Sequence, residues 1–166
     1  MKKTRRFVAL LLAAVLALTL FTACGAAQPT IGEQYEKWFV EQLNSKRPAD
    51  KPVQKVDVKR SEMRTALAKI GKDGKFTAGD GYHHENNGTE KESHYWLIIA
   101  APKAWSVWPD TTVDAVELTP ENLTQYGPDY YIVEKQLHRI KAYDIATRVI
   151  DGKTYAAVYV CLEKAS

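Results

Sequence analysis

Apolar residues recur at three- and four-residue steps between Ile31 and Ser45: Ile31, Tyr35, Trp38, Phe39 and Leu43. That spacing predicts a helix with one apolar stripe. Thr30 precedes it as the expected N-cap, with Glu33 in the capping-box position. Pro48 and the polar run 46–51 end it. Within Val53 to Val58, Val56 and Val58 alternate with charged residues, the pattern of a short edge strand. Met63, Ala66, Leu67 and Ile70 predict a second helix over Ser61–Ile70, capped by Ser61 and stopped at Gly71. The stretch from Gly71 to Ser93 is rich in Gly, Asp, Asn and Glu and is expected to be a long loop. His94 to Ala101 holds Tyr95-Trp96-Leu97-Ile98-Ile99 and predicts a central strand ended by Pro102. Val113–Leu118 and Tyr130–Val133 are further strand candidates, with a short helix opened by Thr119-Pro120 and ending near Gly127.

The C-terminal pattern is the sharpest. Two strand-like runs, 140–150 and 154–163, flank Asp151-Gly152. A two-residue Asp-Gly loop needs positive φ and fixes the register of the strands it joins. Ile150 then faces Lys153, Arg148 faces Tyr155 and Asp144 faces Tyr159. One face collects Tyr143, Ile145, Thr147 and Val149 with Ala156, Val158, Val160 and Leu162, and is the expected core face. The other carries Asp144, Ala146 and Arg148 with Tyr155, Ala157 and Tyr159, and is expected to be solvated or to line a groove. Helices first and strands after predict an α+β domain: N-terminal helices packed on one face of a small antiparallel sheet that ends in a β-hairpin. At the level of architecture alone this order is similar to cystatin-like or NTF2-like folds, which implies no function.

Charge enters through the first residues. The chain of 166 residues has 23 Lys and Arg against 20 Asp and Glu. Lys2, Lys3, Arg5 and Arg6 supply four of those cations; 19 remain against 20 acids. The basic excess therefore belongs to the leader, and it gives no support to nucleic-acid binding. An apolar run from Phe7 to about Phe21 follows, then Thr22 and Ala23. A basic start, an apolar centre and small residues are the three parts of a secretory signal.

Phe21-Thr22-Ala23-Cys24 resembles the lipobox of bacterial lipoproteins, with Phe21 where Leu is usual and Leu20 one step earlier. The resemblance covers the leader only. It implies removal of 1–23, diacylglycerol on the sulfur of Cys24, a tether over 24–30 and a folded domain over 31–166. A thiolate is the nucleophile that lipid transfer requires, and more than one acyl chain gives durable membrane attachment. The expected location is the extracytoplasmic face of a bacterial membrane. Cleavage after Ala27, which would release a soluble protein, and an uncleaved anchor are the other outcomes of such a leader.

Candidate chemistry is sparse. The histidines are His83, His84, His94 and His138, and the cysteines Cys24 and Cys161. His83, His84 and His94 form the weaker alternative of a metal site, since no metal-ligand spacing, nucleophile elbow or phosphate loop accompanies them. Cys161 lies in a strand-like run and reads as a small buried hydrophobe. No cofactor is expected, and the domain is expected to fold without metal. Tyr82, Trp105, Trp108 and Tyr126 fall in or near loops, where rigid aromatic rings suit peptides, proteins or sugars. The reading that follows is a lipid-anchored binding module for a protein, peptide or envelope glycan. The alternative is a small envelope hydrolase using the His83/His84 loop.

Overall fold

A computed structural model describes residues 28–85, 92–101, 108–132 and 134–163. Cys24 with the rest of the leader, and Trp105, lie outside the described residues. The fold is α+β. Helix α1 is Ile31–Ser45. Thr30 Oγ1 accepts from the Glu33 amide at 3.3 Å, and Glu33 Oε2 accepts from the Thr30 amide at 2.7 Å. This reciprocal cap contributes about 1 kcal/mol. Helix α2 is Arg60–Leu67. It starts one residue before Ser61, and its N-cap, Lys59, makes no side-chain cap bond. Ser61 is therefore helical rather than the cap.

The strands form two sheets. In the larger, β1 (Gln54–Lys55), β7 (Ile140–Ile150), β8 (Lys153–Glu163), β4 (Glu92–Ile98) and β3 (Tyr82–Glu85) lie in that order. The smaller has the order β2 (Lys75–Thr77), β6 (Thr112–Ala115), β5 (Ala100–Ala101). The large sheet is mixed: β1 runs parallel to β7, whereas the remaining pairs are antiparallel. Asp151 and Gly152 have φ of 51° and 78°. They join β7 to β8 with Ile150 opposite Lys153, Arg148 opposite Tyr155 and Asp144 opposite Tyr159.

The helices do not share one face. Tyr35, Phe39 and Leu43 of α1 pack with Tyr143, Ile145, Val158, Val160 and Leu162. Met63, Ala66 and Leu67 of α2 pack on the opposite face with Ala146, Tyr155, Ala157, Tyr159 and Cys161, and with Phe76 and Val113 of the small sheet. Alternate side chains along a strand point to opposite faces, so each helix meets its own set. The face expected to be solvated or to line a groove is for most of its length a second core: Tyr155 and Tyr159 keep 2% and 1% of their surface exposed. Ala146 and Ala157 at its centre leave room for α2. Burying one such large side chain contributes roughly 1.5–3 kcal/mol. On the α1 face, cover stops short of the hairpin tip. Gly32 sits over Thr147, where an added Cβ would come within 2.9 Å of Cγ2. Thr147 and, beyond it, Val149, both expected in the core, are exposed.

Short polar segments depart most from expectation. The predicted loop 71–93 contains β2, a 3-10 turn at Ala78–Asp80 and β3. Its strands are short and mostly polar; Phe76 is the buried residue of β2. The predicted strand from Tyr130 is instead one helical turn, α3 (Pro128–Tyr131). Pro128 supplies the helical φ at its first position, and the Tyr130 hydroxyl donates to the Ala100 carbonyl at 2.6 Å. The helix expected after Thr119 shrinks to a 3-10 turn at Leu123–Gln125. There the Asn122 side chain accepts from the Thr119 amide and donates to the Glu117 carbonyl, holding a turn instead of a helix.

Candidate functional site

The pairing of β4 with β8 sets His94 opposite Cys161 and Trp96 opposite Tyr159. Glu92 lies two residues before His94 and so shares its face. At this end of the sheet the α2 face is open. Its wall is the segment between α1 and α2, which Arg47 holds down. The Arg47 guanidinium donates to the carbonyls of Lys51 (2.8 Å), His138 (3.0 Å) and Ile140. The Asn44 side chain accepts from the Val53 amide at 2.8 Å, and the Val56 amide donates to the Tyr143 carbonyl at 2.9 Å. Between wall and sheet runs a groove of about 500 Å³.

Its floor is a connected polar set. The His94 Nδ1 and the Tyr159 hydroxyl share a hydrogen bond of 2.7 Å. The Cys161 thiol donates to Glu92 Oε2 at 3.5 Å, and Lys141 donates to Glu92 Oε1. His94 Nε2 lies 3.8 Å from Glu92 Oε2. Lys141 owes its direction to a register shift between Ile140 and Ala142, where the β7–β8 ladder is irregular.

These contacts move the acidities. The Lys141 hydrogen bond holds the Glu92 carboxyl below its ordinary range, and Glu92 in turn raises Lys141. Burial, and then the Glu92 charge, push the Cys161 thiol up to about 11. Burial also raises Tyr159, with Cys161 adding to it. A thiol held protonated is a poor nucleophile, so this arrangement does not activate Cys161 for attack.

The residues singled out in the sequence are scattered. His83 and His84 are neighbours on β3 and point to opposite faces. His83 stacks over Trp96 with ring centroids 6.0 Å apart; its Nε2 is buried and has no hydrogen-bond partner among the described residues. His84 lies flat on Tyr95 at 4.2 Å on the other side. Strand geometry therefore separates these two, while His94 is drawn to Glu92 and Cys161 instead. Tyr82 is half-buried on β3 opposite Leu97, and Trp108 is 83% exposed. Tyr126 packs against the α1 core, edge-on to Tyr130 at 5.2 Å. None of Tyr82, Trp108 and Tyr126 lines the groove.

Glu92 and Lys141 carry no local sequence signal, whereas Cys161 reads as a small buried hydrophobe and Tyr159 falls on the face expected to be solvated or to line a groove. The hairpin register already places Tyr159 and Cys161 on one face. What brings Glu92 and His94 to them is the β4–β8 pairing, across a separation no local pattern reports.

No protein family, curated protein or solved structure matches the chain. Among the described residues, no helix is long and apolar enough to cross a membrane.

Proposed function

We propose that the chain is a bacterial lipoprotein, lipidated at Cys24 and held on the extracytoplasmic face of the membrane. Its folded part is a non-catalytic module that binds a peptide segment in the groove between the 47–58 wall and the ends of β7, β8 and β4. The leader, with its basic start, apolar run and Phe21-Thr22-Ala23-Cys24, supports the anchor. The composition of the groove carries the binding reading. The groove lining combines Lys51 and Lys141, Asp50, Glu92 and Glu163 with the apolar side chains of Val56, Val58 and Ala142. A peptide offers both signs of charge and apolar side chains. A sugar would call for stacked aromatic rings, and Tyr82, Trp108 and Tyr126 lie elsewhere. The protonated, buried Cys161 argues against a thiol hydrolase.

Random peptides displayed on phage and selected against the full chain in detergent test this reading. Selected peptides should lose binding to Lys141→Glu and keep it to Arg148→Glu, which lies on β7 close to the hairpin tip. Failure of any peptide to enrich, or equal loss in both variants, contradicts it.

A further inference from the structure

Glu92, His94 and Cys161 each bring one ligand atom to the groove floor, and these atoms all lie within 4.8 Å of one another. We propose that they form a binding site for a divalent zinc-class ion, with Glu92 Oε2, His94 Nε2 and Cys161 Sγ as ligands and the fourth corner open to the groove. The site rests on these residues and their partners, independently of what the groove binds.

Three observations support it. The first is spacing. A tetrahedral ion with bonds of about 2.0–2.3 Å needs ligand atoms roughly 3.3–3.7 Å apart. The Cys161 Sγ to Glu92 Oε2 distance is 3.5 Å, and Glu92 Oε2 to His94 Nε2 is 3.8 Å. Two of the three edges are therefore close to tetrahedral length and the third is no longer than 4.8 Å, all carried on two strands already paired in one sheet.

The second observation is orientation. A ligating histidine needs its other nitrogen held. Tyr159 holds the His94 Nδ1 at 2.7 Å, so that with Nδ1–H donating, the Nε2 lone pair is left for the ion. Lys141 occupies Glu92 Oε1 and leaves Oε2 turned toward His94 and Cys161.

The third observation is the donor set. Thiolate with imidazole selects zinc-class ions over calcium or magnesium, which demand oxygen ligands throughout. On binding, the Cys161 S–H bond breaks, its proton leaves to solvent, and the thiolate electron pair forms the metal–sulfur bond. The carboxylate and imidazole add as they stand, so one proton is released for each ion bound.

Cobalt(II) is the probe, since it enters zinc sites and reports thiolate ligation by a sulfur-to-metal charge-transfer band. The full chain carrying Cys24→Ser, in detergent, leaves Cys161 as the remaining thiol. It should bind about one equivalent with that band and with the intense visible bands of a tetrahedral ion. Zinc should displace the cobalt. Cys161→Ser should abolish the band. Glu92→Gln sits at the groove surface and leaves both cores intact, and His94→Ala removes the imidazole; each should weaken binding at least tenfold. Tyr159→Phe should weaken it about tenfold by freeing the His94 ring. Absence of the charge-transfer band from the parent protein overturns the proposal. So does undiminished affinity in Glu92→Gln or His94→Ala.

Discussion

Arg60, at the start of α2, grips Asp144 in the middle of β7 with two parallel hydrogen bonds. Nε donates to Oδ2 at 2.9 Å and Nη2 donates to Oδ1. Asp144 is fully buried, and Oδ1 also accepts from the Ile145 amide. The pair fixes the start of α2 over the sheet and so sets where the α2 face stays open. Arg60→Ala should strand a buried carboxylate and destabilise the fold by roughly 3 kcal/mol, the low end for a broken buried pair, because Arg60 keeps 32% of its side chain exposed. Replacing both partners, Arg60→Met with Asp144→Leu, should recover most of that loss. Denaturant unfolding checks both variants; a double variant no more stable than Arg60→Ala would contradict this role.

Two substitutions in β8 separate a sheet covered on one face from one covered on both. Val158→Ala should cost roughly 1–3 kcal/mol and Tyr155→Ala roughly 3–5 kcal/mol, as core truncations do, because both residues keep only 2% of their surface. With a solvated second face Tyr155→Ala would cost within about 0.5 kcal/mol. Urea midpoints of the two variants distinguish these outcomes.

Tyr143 makes stability depend on alkaline pH. Burial, then the neighbouring Glu36 charge, push its phenol up to about 12 from an ordinary 10. The folded state thus keeps a proton that the unfolded state loses. The stabilisation is complete below pH 10 and is lost as pH rises through about 12, amounting to roughly 2–3 kcal/mol in all. Tyr143→Phe should flatten this decline relative to the parent protein in melts across that range. Identical slopes would contradict it.

Lipidation is read by mass spectrometry of protein extracted from membranes. The N-terminal residue should be an acylated Cys24, and Cys24→Ala should abolish the modification. An unmodified protein beginning near Gln28 would show ordinary cleavage instead.

The sequence reveals local elements well and their long-range partners poorly. Thr30 and Glu33 announce α1 because a cap and an apolar stripe are local features. Asp151-Gly152 announces the β7–β8 register because a two-residue turn determines pairing on its own. The second core was illegible because Asp144, Ala146 and Ala157 read as a mixed, open surface. Only the docking of α2, secured by Arg60, turns them into an interior. The groove floor was hidden for the same reason. Glu92 and Cys161 meet through strand pairing across 69 residues, whereas adjacent His83 and His84 drew notice and are parted by the pleat of β3.

The binding surface itself is tested most directly by amide chemical shifts on adding a selected peptide to the isotope-labelled full chain in detergent. The groove predicts shifts at Val56, Val58, Glu92, His94 and Lys141, with none at Arg148 and Val149 near the hairpin tip. Shifts confined to the surroundings of Trp108, or to the β7–β8 turn, would contradict it.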